Sequence, residues 1–260
     1  MTGGTRVLAE ERRTKILQAV DENGSATVVD LSNLMHVSLM TIRRDINKLA
    51  TDGLVVKAHG GVLSLRQSTA TEPRYDVKAR VNVEEKKRIG AFAAELVAHG
   101  DTVLLDAGST TYQIAVNLIH KQNLTVVTND LLIASELGSC KDIVTLLVGG
   151  TIRHGMFSTV GQYCEETLRQ ISVDKVFLGA DAVHHKKGVM NCNPHEVLAK
   201  RLMLEAAQER ILVVDHLKFQ KIGLSFVCGI DALDMIITDN GVDATVVSDF
   251  ADCGVSVKMC

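Results

Sequence analysis

The chain has 260 residues, 46% of them apolar, with a formal net charge of −3, which is material for one large domain or two smaller ones with real cores. With no Trp and only 3% aromatic residues, it lacks the rings on which single-strand and RNA surfaces rely. No run approaches the ~18 consecutive apolar residues of a membrane span, and MTGGTRVLAEERRTK lacks the apolar core of a signal peptide, so the expectation is a cytoplasmic protein without a membrane partner.

The charge is uneven. Residues 1–66 hold nine Lys/Arg against seven Asp/Glu, a net of +2, and the remainder carries −5. Screening limits exposed charge to about 10 Å, so the local value matters more than the total. Six cysteines begin at Cys140 and form no CxxC pair. Buried thiols are expected, not a disulfide or zinc framework.

Along the chain, Glu10 to Glu22 has the first helical pattern, with Ile16, Leu17 and Val20 on its apolar face and Asn23-Gly24 ending it. Thr27 caps a second helix in which Val28, Leu31 and Leu34 recur at helical spacing. His36-Val37 makes a turn, and Ser38 caps a third helix that Gly53 closes. In it Ile42, Ile46 and Leu49 face inward, so Arg43, Arg44, Asn47 and Lys48 face outward. Leu54–Lys57 and Val62–Leu65 read as strands around His59-Gly60-Gly61, a wing. The polar stretch from Gln67 to Arg80, containing Pro73, reads as a linker, and Glu84–His99 as a helix closed by Gly100.

Apolar β-like runs then appear at residues 102–105, 125–128, 143–148, 175–179, 211–214, 235–238 and 255–257. Helical segments lie between most of them, at about 110–120, 131–137, 162–170, 194–208 and 244–249. Such alternation predicts a largely parallel sheet covered on both faces. The expected organisation is a small N-terminal winged helix-turn-helix domain (1–66), a linker (67–82) and a larger C-terminal α/β domain (83–260).

An α-helix fits the DNA major groove, and its N-terminal half meets base edges first. Thr27, Ser38 and Thr41 are placed for phosphates, Arg43 or Arg44 for a bidentate pair with guanine, and Asn47 lies on the same face. Lys48 is placed for phosphate, and Lys57 and His59 on the wing for the backbone or minor groove. A helical subdomain with a solvated basic face is the plainer alternative. The coincidence of turn, cap, core spacing, paired arginines and wing favours DNA.

With those residues in place, VSLMTIRRDINKLATDGLVVKAHGG resembles the winged helix-turn-helix of the DeoR family of bacterial transcription regulators. The family pattern is Val-Ser-x-x-Thr-Ile-Arg-Arg-Asp-Leu, then Leu, Gly-Leu and a His-Gly-Gly turn. Ile46 replaces its Leu, and Lys57 stands where Arg is frequent.

In the second half, Leu104–Thr111 (LLDAGSTT) leaves an apolar strand, turns at a glycine and opens a helix. Its hydroxyls and helix-start N–H groups suit a phosphate or another anion. Other strand ends carry Thr128-Asn129, Gly149-Gly150 with Arg153 beyond, Gly179-Ala180-Asp181, and Asp215 with Lys218. Ligands of open α/β sheets bind outside the carboxyl ends of strands.

The resemblance continues through EEKKRIGAFAAELVAHGDTVLLDAGSTT, TVVTN, LLVGGTIR, VFLGAD, NPHEVLAKRLM and ILVVDHLKF, which look like the family's effector domain, itself similar in fold to ribose-5-phosphate isomerases. It implies a phosphorylated-sugar effector held by Asp106, Gly108, Ser109, Thr110, Thr111, Asn129, Gly150, Asp181, Glu196, Lys200 and Lys218, with Arg153 added from the strand-end reading. The family's frequent Asp-Ser-Ser-Lys is here Asp215-His216-Leu217-Lys218, without its two hydroxyls, and Gln162 stands where Pro is frequent.

An isomerase would use Glu196 as base beside Asp181. The isomerases, however, continue the Gly-Ala-Asp into an Asp-Glu-Ile-Asp run, where this chain has Ala182-Val183-His184. Binding without turnover is the expectation, with no catalytic residue, cofactor or metal. His184, His185, Cys192 and His195 match no standard zinc spacing. The function read from the sequence is a DNA-binding transcriptional regulator, a repressor of a carbohydrate-utilisation operon relieved by a phosphorylated sugar. It would act as a homo-oligomer, dimer or tetramer, on two operator half-sites. The alternatives are an isomerase-like enzyme with a DNA-binding head and a constitutive DNA-binding protein.

Overall fold

The computed structural model describes residues 9–52, 54–58, 60–64, 69, 72–219 and 221–260. The chain divides into two compact units, Met1–Val81 and Asn82–Cys260.

The first unit contains α1 (Ala9–Asn23), β1 (Ser25–Thr27), α2 (Val28–Met35), α3 (Leu39–Thr51), β2 (Val55–Ala58), β3 (Gly61–Ser64) and the short α4 (Tyr75–Lys78). Its core gathers Ile16 and Val20 of α1, Val28 and Leu31 of α2, and Ile42, Ile46 and Leu49 of α3 under Val55 and Val62 of the wing. Thr27 caps α2, accepting from Asp30 N at 3.0 Å. His36 ends α2 with φ 52°, in the left-handed region. The antiparallel sheet runs β1-β3-β2, so the wing rests on a third strand that sequence reading leaves out.

Leu34 departs from the expected pattern. It is 61% exposed, and Met35 packs on the core in its place. Helical spacing tolerates this shift, because residues three and four apart share a face. Gly53, His59 and Leu65 lie outside the described residues. Within the stretch expected to be a linker, α4 buries Tyr75 and Val77.

The second unit begins with α5 (Val83–Glu95) and continues through β4 (Thr102–Leu105), α6 (Ser109–Leu118), β5 (Leu124–Thr128), α7 (Leu131–Leu137), β6 (Ile143–Leu147), β7 (Thr151–Ile152), β8 (Thr159–Val160), α8 (Gln162–Leu168), β9 (Val173–Leu178), β10 (Ala182–His184), β11 (Gly188–Asn191), α9 (Val197–Ala206), β12 (Ala207–Val213), β13 (Ser225–Cys228), β14 (Met235–Thr238), α10 (Ala244–Ala251) and β15 (Ser256–Met259). Seven strands form one parallel sheet in the order β15-β14-β12-β9-β4-β5-β6. The alternation of side chains along each strand sorts the apolar residues onto two faces. Leu104, Val176, Leu212 and Ile236 join residues of α8, α9 and α10 in one layer. Val103, Leu105, Phe177, Ile211 and Ile237 join α5, α6 and α7 in the other. Helices α5 and α6 cross closely at Gly90, where a Cβ would lie 2.5 Å from the Gln113 side chain.

All seven expected strands of this sheet are present, with small shifts at their ends. The helix expected over 84–99 stops at Glu95. The one expected over 194–208 is a 3-10 turn at Pro194–Glu196 followed by α9, and β12 starts already at Ala207. Two small antiparallel sheets, β10-β11-β13 and β7-β8, escape sequence reading because their strands of two to four residues are too short to establish a period. Only Cys164 and Cys228 are buried thiols. Cys253 is exposed, and the other three are intermediate.

Candidate functional site

In the first unit α3 presents its polar face. Ser38 caps it, accepting from Thr41 N at 3.2 Å, and the two hydroxyls meet at 2.9 Å. Arg43, Arg44, Asn47 and Lys48 are exposed, as is Lys57 on β2. Lys48 pairs with Asp52 at 2.7 Å, a solvated contact that a phosphate can replace at small cost.

The helix is held from behind. Asp45, within the Arg-Arg-Asp run, is 3% exposed, and its Oδ2 accepts from Arg12 Nε of α1 at 2.6 Å. Its place three residues after Ile42 and four before Leu49 is on the inward face, but no sequence signal pairs it with Arg12. The wing is tied to α2 by Val28 N donating to Gly60 O at 2.9 Å. Sequence reading also passed over Met40, which is 65% exposed one turn before Arg44. An apolar side chain at that position suits the methyl group of thymine.

In the second unit Asp106, Asn129, Gly150 and Asp181 follow the carboxyl ends of β4, β5, β6 and β9, whereas Glu196 and Lys200 come from the 3-10 turn before α9 and from α9 itself. After β4, Asp106 is 2% exposed. Its Oδ2 accepts from Gly179 N, beyond β9, at 2.9 Å and also from Lys200 Nζ of α9. Lys200 donates in addition to Gly179 O at 2.9 Å. Burial acts to lower the Lys200 pKa, but the carboxylates of Asp106, Glu196 and Asp181 more than offset it, leaving it above the ordinary lysine value. The ammonium is therefore a fixed charge.

Two further carboxylates flank this group. Glu196 pairs with Arg153 and accepts from Asn191 Nδ2 at 2.8 Å. Asp181 accepts from Cys192 N at 3.0 Å.

Gly108 opens α6 with no side chain capping it, and the first N–H groups of a helix have no partners within it. Ser109 and Thr110 are 7% and 9% exposed. Thr111 is fully buried and donates its hydroxyl to Gly108 O at 2.9 Å. Two N–H groups of the loop already have partners: Ala107 N donates to Asn129 Oδ1 at 3.0 Å and Gly108 N to Asp130 Oδ2 at 3.2 Å. Asn129 also donates to Thr159 O at 3.1 Å.

Asp130, which the sequence reading omitted, caps α7 through Leu132 N and Ile133 N. Burial pushes its pKa up to about 6 in spite of these bonds, with Asp106 adding to the rise. Gly150 has φ 144°, and a Cβ there would meet Val160 O at 2.6 Å, so the β6–β7 corner demands glycine.

The last turn is cationic. Asp215 is 2% exposed, accepts from Asn82 Nδ2 at 3.1 Å and lies 3.9 Å from Lys86 Nζ. Burial works to raise its pKa, but Lys218, Lys86 and Asn82 bring it below the ordinary carboxylate value. Lys221 is brought down to about 8 by burial and by Lys218. Three lysines thus face one aspartate, whereas carboxylates outnumber cations around Asp106. Lys86, Asn82 and Lys221 were not legible as site residues, because only the fold brings α5 beside the Asp215 turn.

Among the described residues, His184 and His185 stack at 4.7 Å, with His185 Nδ1 3.6 Å from Asp249 Oδ2.

The family model described as DeoR-like helix-turn-helix domain matches residues 12–68, and that described as DeoR C terminal sensor domain matches residues 81–240. The HTH-type transcriptional regulator YgbI of Escherichia coli strain K12 is 38% identical over 89% of this chain and 90% of its own. The HTH-type transcriptional regulator GolR of Listeria innocua is 32% identical over 96% and 98%. The glycerol-3-phosphate regulon repressor of E. coli K12 is 31% identical over 96% and 98%. Among solved structures, ribose 5-phosphate isomerase A from Neisseria gonorrhoeae matches 52% of each chain at 18% identity with a TM-score of 0.38, too slight a likeness to define a shared fold.

Proposed function

The chain belongs to the DeoR family of DNA-binding transcriptional regulators, and on that premise we propose that it is a repressor of carbohydrate-utilisation genes, released by a phosphorylated sugar. In this reading the winged head binds operator DNA through Thr27, Ser38, Thr41, Arg43, Arg44, Asn47, Lys48, Lys57 and His59. Two copies engage two half-sites about one helical turn apart.

The effector site is built from Asp106, Gly108, Ser109, Thr110, Thr111, Asn129, Gly150, Arg153, Asp181, Glu196, Lys200 and Lys218. The observation that carries this reading is the division of charge along the strand ends. A cationic turn with Lys86, Lys218 and Lys221, together with the uncapped start of α6, suits a phosphate. Buried carboxylates and Asn129 suit sugar hydroxyls, which can both donate and accept. Binding shifts the DNA-competent population only through different affinity for the two states.

Turnover is not part of the proposal. Glu196 is the candidate base, and it is held by Arg153 and Asn191.

The test is an operator gel shift titrated with a panel of sugar phosphates. One member should weaken operator binding at least tenfold while the corresponding free sugar does not. A panel without effect refutes the effector reading, and purified protein that isomerises any member refutes binding without turnover.

A further inference from the structure

We propose that His216 is a specificity-determining contact of the effector site, its Nε2 accepting a hydrogen bond from a hydroxyl of the phosphorylated ligand. The proposal rests on the effector reading above and assigns a role to the position where the family's hydroxyls are missing.

His216 opens the 3-10 turn His216–Lys218 that follows β12, and Asp239 follows the neighbouring strand β14. Asp239 is 1% exposed and grips His216 twice: Oδ1 accepts from the backbone N at 2.8 Å, and Oδ2 lies 2.7 Å from Nδ1. Gly241 N donates to the same Oδ2 at 2.9 Å. An ionised carboxylate has no proton to give, so Nδ1 must carry the proton of this bond. In the neutral ring that bond fixes the tautomer and leaves Nε2 with a lone pair.

Nε2 has no protein partner among the described residues and is not among the buried polar atoms left without one. The imidazole is thus oriented by a buried residue, with its second nitrogen available. The glycine is part of the device, since a Cβ at Gly241 would lie 2.6 Å from Nδ1.

The surroundings decide what this atom reads. Lys218 stands two residues on, and Lys86 and Lys221 face the same turn through Asp215. Cations for an anion are therefore already present. In that tautomer the ring adds an acceptor, which complements a hydroxyl and not a phosphate oxygen. The ligand class is a phosphate ester with a hydroxyl near the phosphate.

Two probes separate the terms: inorganic phosphate and glycerol 3-phosphate, titrated into the full-length protein labelled with 15N-histidine. The free protein should show His216 protonated at Nδ1 and bare at Nε2. Glycerol 3-phosphate should move the Nε2 resonance, and inorganic phosphate should leave it in place. In His216→Ala the affinity ratio of the two probes should fall roughly 3–10-fold, the worth of one hydrogen bond, with inorganic phosphate binding as before. A free protein with protons on both ring nitrogens, an unmoved Nε2 resonance, or an unchanged ratio overturns the role of His216 while leaving the effector site intact. If neither probe binds and no sugar phosphate releases the operator, the effector reading fails and this inference with it.

Discussion

Replacing Asp45 by Leu tests what holds the recognition helix in place. The substitution takes from the buried Arg12 guanidinium, 8% exposed, the carboxylate to which its Nε donates at 2.6 Å. Removing one partner of a buried pair costs about 3–5 kcal/mol. A unit the size of Met1–Val81 typically has about 4–12 kcal/mol of stability in all. About a quarter or more of that should vanish, which corresponds to a midpoint roughly 12–40 °C lower for the head. Hydrogen exchange of the α3 amides in the full-length protein reads the loss directly, and a gel shift reads its effect on the operator. The double variant Arg12→Met, Asp45→Leu removes both charges and should recover most of the protection, because an apolar pair of similar volume is close to neutral. If Asp45→Leu costs less than about 1 kcal/mol, or the double variant is no better than the single, the pair does not anchor α3.

Three other outcomes are expected. Arg43→Ala should weaken operator binding by about 1–3 kcal/mol and relax preference at one base pair, whereas Lys57→Ala should weaken all sequences alike and lower the salt slope by about one; unchanged base preference in the first variant refutes its reading role. Ser109→Asp should place a charge at the start of α6 and leave the repressor on the operator despite inducer, so normal induction would count against phosphate at that helix start. Asp130 titrates at about 6 in the folded unit against an ordinary 3.8, so the folded state holds the proton more tightly than the unfolded chain, and its contribution is favourable at low pH and lost as pH rises from about 4 through 6. The loss amounts to about 3 kcal/mol at most, and denaturant titrations of wild type and Asp130→Asn should diverge over that window; parallel curves would refute the assignment.

Much of this was legible in the sequence, for identifiable reasons. Ile42, Ile46 and Leu49 repeat at the helical period, so Arg43 and Arg44 had to face outward. Strands β4, β5 and β14 and the carboxyl halves of β9 and β12 are short apolar runs, as strands buried on both faces must be, whereas the edge strands β6 and β15 are largely exposed. What stayed hidden depends on long-range neighbours. Asp45 falls on the inward face of α3, but its partner is hidden until Arg12 arrives from α1. Asp130 looks like a plain helix cap until Gly108 and Asp106 enclose it. Leu34 follows the period yet is exposed, because the period defines a face and not the depth of its edge. The strands β10, β11 and β13 are short, and they form only because they pair with one another.

The single carboxylate of Asp106 has a consequence for how the chain is made. The sheet has two flanks of unlike ancestry in the sequence: β4, β5 and β6 come from residues 102–147, and β9, β12, β14 and β15 from residues 173–259. They meet at β4 and β9, where Asp106 reaches partners 73 and 94 residues downstream, at Gly179 and Lys200. On a ribosome β4, β5 and β6 emerge before β9, with the inner edge of β4 open. That edge stays unpaired until β9 emerges, and Asp106 stays without its ammonium until α9 does. Contacts so distant in sequence close late, and exposed parallel edges invite association with other chains. A chain broken off between residues 106 and 200 therefore carries the whole first unit beside an unfinished sheet, with Asp106 buried among strands but still lacking the Lys200 ammonium.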